Sequence, residues 1–213
     1  MRVAFDIGNV LSRVDLTVFT NQAKEFGLHD GFLEEIQVSQ DLGLYSMRQA
    51  VSKCVHLDSH HPDKDERVKI LEQAWLDTVK ISDVMIEFVD ELIKERVEVA
   101  LLSNIGVDHR DLILRKAPAL KKCQYKHFSC EIGARKPSKL FFQSFVLESG
   151  WDGKTVVYFD DRLENFNYLN KMPLWGWRCV HFDLSKYDND NEALDILVRE
   201  LKINRSPLAS GIT

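Results

Sequence analysis

The chain reads as an α/β protein: a parallel sheet of about five strands flanked by helices and interrupted near its start by a helical insert. Two short apolar runs that end in acids predict the sheet, and one long stretch without a strand pattern predicts the insert. Val3 to Phe5 leads into Asp6-Ile7-Gly8-Asn9, and Val156 to Phe159 leads into Asp160-Asp161. Unbroken apolar runs of this length, closed by acids and turn residues, are the signature of strands buried on both faces of a parallel sheet. From Ser82 onward strand and helix patterns alternate, as βαβ units require.

After the first strand, residues 15–82 read as helical. Leu16, Phe19, Ala23 and Phe26 recur at steps of three and four and stop at Gly27, an amphipathic helix with a glycine after its last turn. Ser46 to Gln49 has the form of a capping box that opens a helix carrying Val51, Cys54 and Val55. Val68, Leu71, Trp75 and Val79 form a further stripe. Between these, His56 to Pro62 reads as a loop. Its three histidines lack regular ligand spacing, which favours solvated turn residues over a metal site.

Ser82 and Asp83 open a helix through Met85, Phe88 and Leu92, and Val97 to Leu102 follows as a strand. A strand over His127 to Cys130, a helix from Pro137 to about Glu148, and a strand from Thr155 to Phe159 come next. Asp161 to Asn170 then holds a helix, Arg178 to Phe182 a strand and Glu192 to Leu201 a helix, before a loose tail. The expected organisation is a core of residues 1–14 and 83–213 with a cap of residues 15–82. An insert of some seventy residues is far longer than an ordinary βα loop. It leaves from the strand end that bears Asp6 and is expected to hang over it as a lid.

Composition narrows the function. The chain has 213 residues, 45% hydrophobic and 29% charged, which suits one globular core with a modest insert. A net charge of −5 and the lack of any Lys/Arg cluster argue against nucleic acid as a partner. No apolar run is long enough to span a bilayer and no leader pattern precedes the first strand, so a cytoplasmic location away from membranes is expected. Cys54, Cys123, Cys130 and Cys179 are dispersed without a CxxC, as reduced thiols are. Trp151, Trp175 and Trp177 read as packing residues. Oligomeric state is not legible.

In open α/β sheets, ligands bind outside the carboxyl ends of the strands, so neighbouring first and late strands would bring Asp6, Asp160 and Asp161 to one crevice. Gathered carboxylates repel and need a cation or a shared proton. Oxygen ligands with no His or Cys nearby favour Mg²⁺, which commonly serves substrate phosphates. The alternative is that Asp160 and Asp161 are turn and helix-capping residues. Two further segments fit an anion. Ser103-Asn104-Ile105-Gly106 follows a strand with a hydroxyl, an amide and free backbone N–H groups, although Ser-Asn is equally a helix cap. Lys136 precedes Pro137 at an expected first helical position, where a fixed cation could neutralise both acids and phosphate; the alternative is an exposed loop lysine.

In this order, Phe5-Asp6-Ile7-Gly8-Asn9-Val10-Leu11, Leu102-Ser103-Asn104, Lys136-Pro137 and Phe159-Asp160-Asp161 with Asn165 resemble the four motifs of the haloacid dehalogenase-like hydrolase superfamily. Its phosphatases with a helical cap between the first two motifs are the nearest pattern. The resemblance runs from Arg2 to about Asp183. It implies a Rossmann-like parallel sheet, an inserted α-helical cap and a Mg²⁺ cofactor. It also implies an aspartyl-phosphate formed on Asp6, with Asp6, the Gly8 carbonyl and Asp161 holding the metal and Asp160 counted with them as a supporting acid. Ser103 and Asn104 would bind phosphate oxygens, Asn9 would join the substrate contacts, and Lys136 would stabilise charge on the nucleophile and the transferring group.

One position departs from that pattern. Such phosphatases commonly carry a second aspartate two residues after the nucleophile as acid and base, and this chain has Gly8. A Gly-Asn version of the motif is also known among relatives. The expected consequence is one of three: slow turnover, a preference for good leaving groups, or recruitment of Asp15, Asn9 or a cap residue instead. The implied activity is Mg²⁺-dependent hydrolysis of a small phosphorylated metabolite, a sugar phosphate or nucleotide. The alternatives are a catalytically weak phosphate-binding or interaction protein and a metal-independent 2-haloacid dehalogenase. Residues following Arg13 and around Leu42 to Tyr45 are expected to select the substrate.

Overall fold

A computed structural model describes residues 1–28, 31–53, 63–151, 155–171 and 176–202. Strands β1 (Arg2–Phe5), β4 (Glu98–Ser103), β5 (Tyr125–Phe128), β6 (Val156–Asp160) and β7 (Arg178–His181) form one sheet in the order β5-β4-β1-β6-β7. Every pair in it is parallel. Between β1 and β4 the chain forms β2 (Ser12–Val14), α1 (Thr17–Glu25), α2 (Phe32–Asp41), α3 (Met47–Ser52), α4 (Lys64–Leu76), β3 (Val79–Ile81) and α5 (Asp83–Lys94). The remaining helices are α6 (Val107–Lys116), α7 (Ser129–Ile132), α8 (Lys139–Ser149), α9 (Leu163–Leu169) and α10 (Asp190–Leu201).

Alternation along each strand divides the core in two. Val3, Phe5, Val99, Leu101 and Phe159 face α5 and α10, where Met85, Phe88, Leu92, Leu194 and Leu197 cover them. Ala4, Ala100, Leu102, Val156 and Tyr158 face the other way onto Phe141, Phe142 and Phe145 of α8 and Phe166 of α9. A strand covered on both sides must be apolar at every position, which is why β1 and β6 show no polar alternation in the sequence. Trp151 and Trp177 pack in this second cluster, as expected of them.

The insert has a core of its own: Phe19 and Ala23 of α1, Phe32 and Ile36 of α2, Met47 and Val51 of α3, and Val68, Leu71 and Trp75 of α4. The capping box at Ser46 is present, with the Ser46 side chain accepting from Gln49 N and the Gln49 side chain accepting from Ser46 N. Gly27, at φ +71°, follows α1 in a conformation that few other residues adopt.

Three boundaries differ from the sequence expectation. Val79 does not continue the α4 stripe; it starts β3, which pairs antiparallel with β2 at the base of the insert. Three residues are too few for a readable period, and their partner lies some 65 positions earlier. The expected strand at His127 to Cys130 ends at Phe128, and Ser129 begins a short helix. Pro137 is not the first helical residue of α8: Ser138 is the N-cap, accepting from Phe141 N. Cys54, the His56 to Pro62 loop, Trp175 and the residues after 202 lie outside the described residues. Cys123, Cys130 and Cys179 are free thiols. Among the described residues no helix is long and apolar enough to cross a membrane.

Candidate active site

The sheet order puts the site together. Strand β1 lies between β4 and β6, in register Phe5 to Leu101 and Phe5 to Phe159. The chain leaves β1 for β4 and β5 on one side and later returns to β6 and β7 on the other. Such a reversal opens a crevice beyond the carboxyl ends of the strands. Asp6, Ser103, Asp160 and Asp161 are the residues at those ends. Carboxylate oxygens of Asp6, Asp160 and Asp161 lie within 4.8 Å of one another.

Lys136 joins them. Its Nζ is 3.1 Å from Asp6 Oδ1 and 2.7 Å from Asp160 Oδ2, and it donates to Leu102 O (2.7 Å) and Tyr158 Oη (3.2 Å). The residue is buried, which excludes the exposed-loop alternative. Burial pulls the Lys136 pKa down, but Asp160 and Asp6 overcome it and hold the ammonium above its usual value. Burial pushes Asp6 up to about 7; Lys136 and a hydrogen bond from Ser103 oppose the rise, while Asp160 and Asp161 add to it. Asp161 is also raised, by burial and by Asp160, against a hydrogen bond from Asn9.

Asp160 is a support in this set and has no oxygen left to coordinate. Its Oδ1 accepts from Arg162 N and Asn165 Nδ2, and its Oδ2 accepts from Lys136, Tyr158 and Asn165. With every acceptor position engaged and no exposure, it anchors the lysine, which removes it from the expected metal ligands. The bond from Arg162 N makes it the turn residue of the alternative reading, but not the helix cap, since Arg162 occupies that position of α9. Asp6 and Asp161 line the cavity, as does Gly8.

Asn104 and Asn9 do structural work that the sequence did not disclose. The Asn104 amide is engaged at both ends by the main chain of Lys136, which leaves one Nδ2 hydrogen outside that contact at the cavity it lines. Ile105 N, expected to be free, donates to Ser129 Oγ at 2.9 Å. Ser103 keeps its hydroxyl beside Asp6. Asn9, at φ +51°, donates to Asp161 Oδ2 (3.1 Å) and accepts from Val14 N (3.0 Å), tying the end of β1 to both β2 and β6.

Three carboxylates against one ammonium leave two negative charges in a largely buried, all-oxygen cluster. That donor set suits a hard divalent cation such as Mg²⁺, which Asp6 and Asp161 would hold with the Gly8 carbonyl as the third expected ligand. The adjoining cavity has a volume of about 240 Å³. Its far wall comes from the insert and from α6: Gln37, Asp41, Trp75, Thr78 and His109, none of which the motifs mark. Leu42 to Tyr45 do not line it, whereas Val14 and Leu16, just after Arg13, do. Asp15 points elsewhere, accepting from Thr17 N in the open.

Solved structures share this fold along almost the whole chain. A HAD-like hydrolase from Porphyromonas gingivalis matches with a TM-score of 0.73 at 18% identity, covering 95% of this chain and 98% of its own. The chain has the haloacid dehalogenase-like fold. A HAD family enzyme from Bacteroides thetaiotaomicron in complex with magnesium and inorganic phosphate matches with a TM-score of 0.69 at 19% identity, over 90% of this chain and 98% of its own. A magnesium-bound HAD-hydrolase from Bacillus subtilis matches at 0.59 and 13%, over 95% and 98%. No family model and no curated protein matches the sequence.

Proposed function

We propose that the protein is a Mg²⁺-dependent phosphatase of a small phosphorylated metabolite, such as a sugar phosphate or nucleotide, with Asp6 as nucleophile. The observation that carries this reading is the meeting of Asp6 and Asp161, just past the ends of the adjacent strands β1 and β6, with the buried Lys136. One Asp6 oxygen attacks phosphorus and forms an aspartyl-phosphate, which water then cleaves, so that one difficult displacement becomes two easier ones. Lys136, fixed by Asp160, Tyr158 and the Leu102 carbonyl, stabilises charge on Asp6 and on the phosphoryl oxygens without having to reorganise. In this reading the Ser103 hydroxyl, which lies beside Asp6, donates to a phosphoryl oxygen. Bound Mg²⁺ would supply charge neutralisation and orient the phosphate.

Residues 15–82 act in this reading as the lid that excludes water, since α2 and α4 supply the far wall of the cavity. A 240 Å³ cavity favours a leaving group of sugar or nucleotide size over a macromolecule. A bacteroidal enzyme of the same fold binds magnesium and inorganic phosphate, in line with this assignment. The test is phosphate release over a metabolite panel. Turnover that needs Mg²⁺ and vanishes in Asp6→Asn is expected; turnover undiminished in Asp6→Asn rejects the reading.

Gly8 favours a second reading, a weak phosphate-binding or interaction protein, because no acid stands two residues after Asp6. Calorimetric binding of Mg²⁺ and phosphate, together with no hydrolysis of an activated aryl phosphate, would support it. Metal-independent dehalogenation is disfavoured by Asp161, whose charge would oppose a halo-acid anion at Asp6.

A further inference from the structure

Phosphoryl transfer to Asp6 leaves an electron pair on the departing oxygen. Unless that oxygen belongs to a good leaving group, it needs a proton as the bond breaks, and water needs a base in the second step. Gly8 offers neither. Lys136 is fully engaged by Asp6, Asp160, Tyr158 and the Leu102 carbonyl. His109 Nε2 lies 2.8 Å from Trp75 O and 3.3 Å from Thr78 Oγ1, and burial lowers its pKa, so it is a neutral ring donating to a carbonyl. The cavity has one further carboxyl besides Asp6 and Asp161 among the described residues: Asp41.

Asp41 ends α2 and lines the cavity one helical turn after Gln37, on the wall contributed by the insert. It is buried, and its Oδ2 lies 2.9 Å from Arg135 Nε. We propose that Asp41 is the acid and base of the reaction, taking over from the insert the role for which position 8 has no side chain. The proposal rests on the phosphatase reading above. In the first step Asp6 bonds to phosphorus, the bond from phosphorus to the leaving oxygen breaks, and that oxygen takes its electron pair and the Asp41 proton. In the second, water attacks phosphorus and gives its proton to the Asp41 carboxylate as Asp6 departs. Arg135 receives the carboxylate formed in between.

The surroundings suit both states. Burial raises the Asp41 pKa to about 6, and Arg135, Lys136 and Arg162 limit the rise. Its position at the carboxyl end of α2 also disfavours the anion. The Cys130 thiol, the other titratable neighbour, is held up at about 11 by burial and stays protonated.

The test compares the Mg²⁺-loaded full chain with Asp41→Asn on alkyl phosphates and on aryl phosphates of graded leaving-group acidity. The wild type should show a shallow dependence on leaving group. Asp41→Asn should lose about 10²- to 10⁴-fold in kcat/KM on alkyl phosphates and less than about tenfold in kcat/KM on p-nitrophenyl phosphate, since kcat/KM reports the first step alone, with inorganic phosphate binding retained. Equal losses on both classes, or none, overturn the role of Asp41 while leaving the phosphatase reading intact. Absence of turnover in the wild type sinks both. Arg135→Gln gives a second readout should Asp41→Asn not fold. Removing that cation raises the Asp41 pKa, so the fall of alkyl-phosphate turnover with rising pH should move to higher pH, and an unmoved limb counts against the proposal.

Discussion

The side-chain amide of Asn104 holds the main chain of Lys136 at both ends: Lys136 N donates to Asn104 Oδ1 at 2.7 Å, and Asn104 Nδ2 donates to Lys136 O at 3.0 Å. The end of β4 is thereby bolted to the loop that carries the active-site cation. Asn104→Ala removes two part-buried hydrogen bonds and should cost about 1–3 kcal/mol in urea denaturation. It should also lower kcat at least tenfold by freeing the lysine, on the scale that small misplacement of catalytic groups produces. Unchanged turnover in a stably folded variant would show that Asn104 does not position Lys136.

Lys136 and Asp160 form a buried ion pair at 2.7 Å. Lys136→Met leaves Asp160 buried and without its cation, which should destabilise the fold by about 3–5 kcal/mol. Adding Asp160→Asn removes the orphaned charge and should recover part of that loss. A double-mutant cycle on denaturation midpoints measures the coupling, and strict additivity would contradict the pairing.

Asp6, raised to about 7, couples metal binding to pH. Because its folded pKa lies above its unfolded value, its contribution to stability is fully present below about 4 and is lost as the pH rises towards 7. The metal-free protein should therefore lose stability across that window, and Mg²⁺ should restore it at the upper end by binding only the folded state. Asp6→Asn should be more stable than the metal-free wild type at neutral pH. Magnesium titrations near pH 6 should release a proton, visible as a dependence of the binding heat on the buffer. A binding heat that ignores the buffer would count against a raised Asp6.

Gly8 has room for a side chain. A Cβ built there meets Val14 Cγ2 at 3.5 Å, an ordinary contact, and its φ does not lie in the left-handed region. Gly8→Asp should fold with a stability change of about 1 kcal/mol or less. In the phosphatase reading it should raise turnover of alkyl phosphates and rescue Asp41→Asn. A variant that folds but speeds neither background would mean that position 8 does not face the leaving group.

The insert meets the core through a part-buried polar joint. Asp108 Oδ2 accepts from Met47 N (2.7 Å) and Gln40 Nε2 (3.2 Å), and Gln40 Oε1 accepts from Trp75 Nε1 (3.1 Å). Asp108→Ala should cost about 1–3 kcal/mol and increase hydrogen exchange at the start of α3. Exchange unchanged at Met47 would remove Asp108 as the joint.

The parts of the site that lie in the strand-end motifs were legible because their chemistry is local. An apolar run that stops at acids announces a buried strand with carboxylates at its tip, which gives Asp6 and Asp161; Ser103 follows from a polar residue closing another such run, and Lys136 from the Lys-Pro pair. Asn104 and Asn9 were found as residues but not in their connections, since an amide in a turn does not disclose which backbone it will bind. Gln37, Asp41, Trp75, Thr78 and His109 carried no signal beyond a place on a helix or at its end. Polar residues beside an apolar stripe, such as Gln40 and Asp41, are the one hint the sequence held.

By itself, then, the order of residues determined which segments become strands and helices, that residues 15–82 are largely helical, and which acids end up at strand tips. Hydrophobic periodicity and capping chemistry act over a few neighbours and can be read from them. Only the tertiary structure decided that β1 sits between β4 and β6, that Asp160 spends its oxygens on Lys136 and its neighbours, and that Asp41 reaches the cavity from the insert. Those outcomes depend on the pairing of strands and the docking of helices far apart in the chain, where each partner is chosen by burial and charge in three dimensions.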